Sequence, residues 1–224
     1  MLEWANANRV PLIPRGSGSG MAGGATGDGV IVDCSLLDQI GPVDSERRTV
    51  RCGPGAIRAH VNAAANAHGL RFPVDPSSGP FCTVGGMAAT NAAGARTLRF
   101  GATRNWIESL ECVLADGTLA TVRRDASPPA GSPLSRLTKN VLPRWRGHAG
   151  LHHAVRKESS GYAVANAAES GDLVDLLAGS EGTLAVATGT GISRSSSPAK
   201  IASVPSLPAR RSTRSPDSAA LATA

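Results

Sequence analysis

Aromatic residues are scarce in this chain: three Phe, three Trp and one Tyr among 224 residues. With 26 Gly and ordinary apolar content, the composition describes a small-residue α/β protein with many backbone turns, not a coiled coil or a disulfide scaffold. The length allows one large domain or two small ones. Long apolar runs are also missing. None approaches the ~18 residues of a membrane span, so no integral membrane segment is expected. The first residues turn polar almost at once and carry no secretory pattern, which gives a cytoplasmic reading.

The four cysteines, Cys34, Cys52, Cys82 and Cys112, contain no C-x-x-C pair. A zinc knuckle or an iron–sulfur motif is therefore not written here, and ordinary buried or half-buried thiols are expected. Histidine adds nothing to a metal reading. His60 and His68 fall on one predicted helix as surface residues, and "HAGLHH" (148–153) fits no ligand template and has no acidic neighbour. No metal is expected.

The net charge of +6 invites a nucleic-acid partner, but its distribution argues against one. In residues 194–224, Arg194, Lys200, Arg210, Arg211 and Arg214 stand against Asp217, so this segment carries +4 and the rest of the chain +2. No basic stripe is interleaved with aromatics. The same segment has eight Ser and four Pro, too little apolar surface to offset ordering entropy, and it is expected to be disordered.

Local patterns place the elements. Residues 2–9 read as a helix end. "VPLIP" (10–14) and "VIVDCS" (30–35) read as strands, and "RTVRCG" (48–53) as a third. In residues 54–69, Ile57, Val61, Ala64 and Ala65 share one helical face, and Gly69 is placed to end that helix. Residues 110–122 read as a β-hairpin turning at Asp116-Gly117. Residues 125–150 look like an irregular insertion. Residues 171–188 read as a short helix, a Gly-Ser-Glu-Gly turn and a strand.

What the chain does have is glycine in a concentrated loop, "PRGSGSGMAGG" (14–24). Gly18, Gly20 and Gly23 spell G-x-G-x-x-G after a predicted strand. A dinucleotide fingerprint also needs a helix directly afterwards, and here a Gly-rich run leads into a strand instead, so the Rossmann template fails. A Walker loop needs Gly-Lys-Ser/Thr, and no Lys is near. On these residues alone, two readings stay open. One is a flexible hairpin turn. The other is an anion nest, in which successive backbone N–H groups hold a phosphate, Ser17 and Ser19 add hydroxyls, and Arg15 adds charge or braces the loop.

Four stretches occur in order: "PLIPRGSGSGMAGG", "DPSSGPFCTVGGMAATNAAG", "RFGATRNWIESLECVLADG" and "GSEGTLAV". Together they resemble the FAD-linked oxidase family with its PCMH-type FAD-binding domain. The nearest branch is the glycolate oxidase subunit, D-lactate and D-2-hydroxyglutarate dehydrogenase group. The resemblance spans residues 1–192, with a poor fit over 125–150. It implies an α+β fold of two α/β subdomains with FAD between them. On this chain the first would be residues 1–70 and the second 71–193, followed by the basic tail 194–224.

The resemblance also implies site roles. Arg15, Gly16, Ser17, Gly18, Ser19, Gly20 and Met21 would surround the FAD pyrophosphate. Pro76, Ser77, Thr83, Gly85 and Gly86 would line a second wall near the phosphates and ribityl chain. Thr90, Asn91 and Gly94 would lie close to the flavin, and Glu181, Gly182 and Val186 would close over it. Some relatives attach FAD through a His in the glycine loop. "RGSGSG" has none, which implies non-covalent FAD. Tyr162 and Lys157 match a segment before the closing strand.

The resemblance further implies that the chain is truncated at both ends. It would lack the first strand of the FAD domain and the cap or substrate domain that carries the catalytic base, so catalytic residues stay unassigned. The function implied is the FAD-binding domain of an oxidoreductase that takes hydride from a small 2-hydroxy acid to flavin N5, with the substrate bound only if a cap or partner subunit is supplied. The electron acceptor is not named by the sequence. Two alternatives remain: an inactive or unstable remnant, and a non-enzymatic binder acting through the basic tail.

Overall fold

The computed structural model describes residues 1–124, 126–128, 130–148, 158–159 and 161–192. The expected disordered tail 194–224, most of the "HAGLHH" tract and Lys157 lie outside the described residues.

The chain opens with α1 (Leu2–Asn8), which buries Ala5 and ends where Arg9 adopts left-handed backbone at φ +54°. Two short strands follow, β1 (Leu12–Arg15) and β2 (Val30–Asp33), and they pair in parallel. The loop 16–29 therefore carries the chain back along the length of β1 before β2 begins. A hairpin turn is excluded by that pairing, because a tight turn joins antiparallel strands only. No helix intervenes between the two strands, as the Rossmann template would require.

The remaining strands form one antiparallel sheet in the order β3-β4-β7-β5-β6. They are β3 (Ile40–Asp44), β4 (Thr49–Cys52), β5 (Ile107–Leu114), β6 (Leu119–Arg123) and β7 (Ala185–Ile192). Among the described residues, the last strand in sequence is thus the central one. β7 hydrogen-bonds β4 on one side and β5 on the other. The sheet draws strands from both sides of residue 70, since β3 and β4 precede it. The β5–β6 hairpin turns at Gly117 (φ +84°), and Asp116 Oδ1 accepts the Thr118 amide at 3.0 Å. Free Gly dihedrals and a short side-chain acceptor are what this turn needs.

Helices pack on one face of the sheet. α2 (Arg58–Asn66) buries Val61 and Ala65, the expected stripe, and Gly69 ends it in left-handed backbone at φ +68°. His60 and His68 are exposed, as expected of the opposite face. α3 (Val84–Ala89) lies next to α2 in one apolar cluster with Val50, Cys52, Phe72, Val74, Met87 and Ile192. Between α3 and β5, α4 (Thr97–Phe100) makes one exposed turn.

Residues 133–145, expected to be irregular, form short helical turns beginning with α5 (Pro133–Arg136). With α6 (Val164–Ser170) and α7 (Leu173–Leu177) they cover Leu110, Cys112, Leu114, Ala120 and Val122 of the hairpin. Arg124 pins α7 to the sheet. Its guanidinium contacts Asp172 Oδ2 at 2.7 Å and Asp175 Oδ1 at 3.0 Å, and donates to the carbonyls of Ile107 and Arg104. No described helix is long and apolar enough to cross a membrane.

Candidate functional site

A cavity of about 1070 Å³ opens between the glycine loop and α3, which lines it from Thr83 to Thr90. That is at the upper end of the volumes that small-molecule and cofactor sites occupy. Residues Arg15, Gly16, Ser17, Gly18, Ser19, Gly20 and Met21 form one wall. Pro76, Ser77, Thr83, Gly85, Gly86, Thr90 and Gly94 form the facing wall, and Glu181 and Gly182 close one side.

Two expected site residues stand elsewhere. Val186 alternates with Ala185 and Ala187, and it is these two that line the cavity. Successive strand residues point to opposite faces, so Val186 turns away. Asn91 is also off the lining. It is 2% exposed, adopts φ +45°, and its carboxamide oxygen accepts the Arg104 amide at 2.9 Å. The family resemblance puts it beside the flavin. The chain turns left-handed at Asn91, and its side chain goes into the protein.

The glycines divide into two groups. Several are small because the chain packs on itself. A Cβ at Gly16 would overlap Thr83 Oγ1, one at Gly94 would overlap the Asp75 carbonyl, and one at Gly85 would come within 2.5 Å of Pro54 Cβ. Gly18 takes φ +67°, and a Cβ there would meet Arg15 Nη2 at 2.6 Å. Arg15 thus braces the loop from within. Gly20 is different. Its φ is not in the left-handed region and nothing lies within 4 Å of where its Cβ would be. Neither backbone strain nor internal packing accounts for a glycine there, whereas close approach of a ligand to the backbone does.

Among the described residues, the amides of Ser17 to Ala22 donate no hydrogen bond within the chain. They are a run of donors without an intrachain acceptor in a segment that lines the cavity, and the hydroxyls of Ser17 and Ser19 lie 3.2 Å apart in the same segment. Such a run suits an anion. Across the cavity, Thr83 begins α3, accepting the Gly86 amide on its hydroxyl at 3.2 Å. Behind it, Arg58 is buried and spans Val74 O (2.8 Å) and Asp75 Oδ1 (2.9 Å), which fixes the loop carrying Pro76 and Ser77.

Charged lining residues are Arg15, Asp75 and Glu181, with Asp75 engaged by Arg58. Three buried thiols that the sequence reading assigned no role, Cys34, Cys82 and Cys112, also line the cavity. Burial pushes each of them up, Cys112 to about 11. They remain protonated at neutral pH and serve as small apolar walls. Their sequence signal was only the tendency of Cys to be buried. Tyr162 donates to or accepts from Thr183 Oγ1 at 2.5 Å, on the exposed side of the closing turn.

A wall of free amides facing a wall of small residues, in a cavity of this volume, accommodates a large planar cofactor with a diphosphate. Comparison with known proteins agrees. A family model described as an FAD-binding domain matches residues 1–123. The chain is 36% identical over 190 residues to the D-lactate dehydrogenase of Archaeoglobus fulgidus, covering 84% of this chain and 34% of that protein. It is 37% identical over 140 residues to the glycolate oxidase subunit GlcD of Bacillus subtilis, covering 61% and 30%. It is 34% identical over 127 residues to the D-2-hydroxyglutarate dehydrogenase of Stutzerimonas stutzeri, covering 56% and 27%. The chain thus spans about a third of the length of the curated relatives it matches.

Two solved structures share the fold. They are 6-hydroxy-D-nicotine oxidase from Arthrobacter nicotinovorans (TM-score 0.56, 20% identity, 86% of this chain and 32% of that one) and an alkyldihydroxyacetonephosphate synthase (0.56, 19%, 85% and 28%). The expected α+β, PCMH-type architecture is therefore present, and the part shared with the hydroxy-acid enzymes is their FAD-binding domain. The chain belongs to the FAD-linked oxidase family through this domain, and FAD is its cofactor.

Proposed function

We propose that this chain is the FAD-binding part of a flavin-dependent oxidoreductase acting on a 2-hydroxy acid of the lactate, glycolate or 2-hydroxyglutarate type. When bound, FAD would supply the two-electron acceptor, with flavin N5 as the position that would accept hydride. The proton from the substrate hydroxyl needs a base, and we assign that base, with the substrate pocket, to a cap domain or partner subunit. The enzyme is placed in the cytoplasm on this reading.

The chain's own residues bind and orient. The amides of 17–22, with the hydroxyls of Ser17 and Ser19, hold the pyrophosphate, and Arg15 keeps the loop in shape. Thr83, Gly85 and Gly86, with Pro76 and Ser77, let backbone approach the cofactor from the facing wall. Thr90 and Gly94 lie toward the flavin end. Glu181 and Gly182 close the side, while Asn91 and Val186 support the site from behind. FAD is held without a covalent bond on this reading, because the glycine loop has no His. Division of the domain follows the cavity. β1, the glycine loop and β2 lie on one side, and α3 with the sheet β3-β4-β7-β5-β6 on the other.

The observation that carries this reading is Gly20 with its neighbouring free amides, a cradle that internal packing does not explain. The test is titration of the purified chain with FAD, followed by flavin absorbance and fluorescence quenching. Saturable binding supports the proposal, and a folded chain that ignores FAD refutes it. Anaerobic addition of D-lactate, glycolate or D-2-hydroxyglutarate, with a cap-bearing partner present, should bleach the bound flavin with one of the three.

A further inference from the structure

The turn 178–182 joins α7 to β7, and its Ser180, Glu181 and Gly182 line the cavity. Gly179, Glu181 and Gly182 all have positive φ. Gly179 and Gly182 take such a backbone freely; at Glu181 it costs free energy and persists because the surroundings hold it. Two sets of bonds do so. On one side the turn's amides donate to the end of α3, Gly179 N to Ala88 O and Glu181 N to Ala89 O, both at 2.9 Å. On the other side the Arg104 guanidinium donates to Ala178 O from Nε at 3.2 Å and from Nη2 at 2.6 Å.

Gly179 leaves the room this requires, since a Cβ there would lie 2.8 Å from Arg104 Nη2. Arg104 is itself fixed by Asn91, whose carboxamide oxygen accepts its amide. A planar, two-pronged donor on one carbonyl is a rigid tie. Neither Asn91 nor Arg104 lines the cavity.

We propose that Arg104, oriented by Asn91, is a positioning residue that clasps the 178–182 turn to α3 and so fixes one wall of the FAD cavity without touching the cofactor. This rests on the FAD-binding reading above. It assigns Asn91 the role of holding the clasp rather than contacting flavin.

The test uses the full chain and FAD itself. Arg104→Ala is compared with Leu173→Ala, which removes a core side chain from α7 and lowers melting temperature while leaving the clasp intact. Arg104→Ala should weaken FAD binding by about tenfold, and Leu173→Ala should weaken it little. Arg104→Lys keeps the charge but not the fork and should fall between. In Arg104→Ala, the amides of 178–182 should exchange hydrogen faster than in Leu173→Ala.

Wild-type FAD affinity in Arg104→Ala overturns the proposal. So does an equal loss of affinity in Leu173→Ala at the same drop in melting temperature. If Arg104→Ala fails to fold, Arg104→Lys and Asn91→Ala carry the same comparison. If the wild-type chain binds no FAD, the functional reading fails instead. The exchange rates of the turn's amides then decide the clasp alone, and unchanged rates in the variant overturn it.

Discussion

Replacing Gly16 and Gly20 by alanine, one at a time, separates what the glycine loop does for the fold from what it does for the cofactor. At Gly16 the new methyl group overlaps Thr83 Oγ1, a buried group that caps α3 by accepting the Gly86 amide. Overpacking a filled site costs about 1–3 kcal/mol, and losing an N-cap costs about 1 kcal/mol more. A total of about 3 kcal/mol corresponds to a fall in Tm of about 6–12 °C for a chain of this size. At Gly20 the methyl group meets nothing and the backbone needs no left-handed dihedral. Gly20→Ala should therefore leave the apo protein unchanged, or stabilise it by about 0.4–1 kcal/mol through the unfolded state.

With FAD, Gly20→Ala acquires a cost of its own. At a hundredfold excess over Kd, FAD should add about 2.7 kcal/mol to the wild-type stability. If the Gly20 methyl group obstructs the diphosphate and weakens binding tenfold, the same FAD concentration adds only about 1.4 kcal/mol. Melting curves of each variant with and without FAD, beside a fluorescence titration, read both quantities. A Gly20→Ala chain that binds FAD as tightly as wild type refutes close approach of phosphate to this backbone. A Gly16→Ala chain with unchanged apo melting refutes the packing of loop against α3.

Three further outcomes are expected. Thr190 Oγ1 is buried without a hydrogen-bond partner among the described residues, so Thr190→Val should stabilise the chain by about 1 kcal/mol in urea unfolding. Burial pushes Cys52 up to about 12 and Cys112 to about 11. Their folded values lie above the unfolded value of 9.0, so folded stability should hold below pH 9 and fall as pH rises toward 11–12, by about 1.4 kcal/mol per pH unit for each thiol. Denaturation midpoints measured across that range check the sign. Arg124→Ala leaves Asp172 and Asp175 without their shared partner in a half-buried position, and should lower stability by about 3 kcal/mol in a circular dichroism melt.

Legibility in the sequence followed locality. α2 was readable because four apolar positions share one helical face, and the β5–β6 hairpin because Asp116-Gly117 sits between alternating runs. β3 was missed. It contains Gly41 and Pro42, which argue against a strand, yet it is an edge strand, where a missing donor is tolerated. α3 was not foreseen as a helix. Its Val-Gly-Gly start has poor propensity, and the Thr83 cap, the close contact of Gly85 with Pro54 and the burial of Val84 and Met87 override that. α6 was passed over because its signal is only a short run of alanines, three of them buried.

For the site, the glycine loop by its residues left a turn and an anion nest open, and the facing wall was expected only from the resembling motifs. Neither was enough to say which way a side chain turns. Val186 differs from Ala185 and Ala187 only by strand alternation, and Asn91 differs from Thr90 by one left-handed residue. Local residues alone decided the failure of the dinucleotide template and the order of the family's motifs. Only the tertiary structure decided that β1 and β2 run parallel, that the last described strand lies at the centre of the sheet, and that Arg104 reaches across to Ala178. Those three depend on pairings between residues far apart in the chain, and no local pattern encodes a partner that the chain must fold to meet.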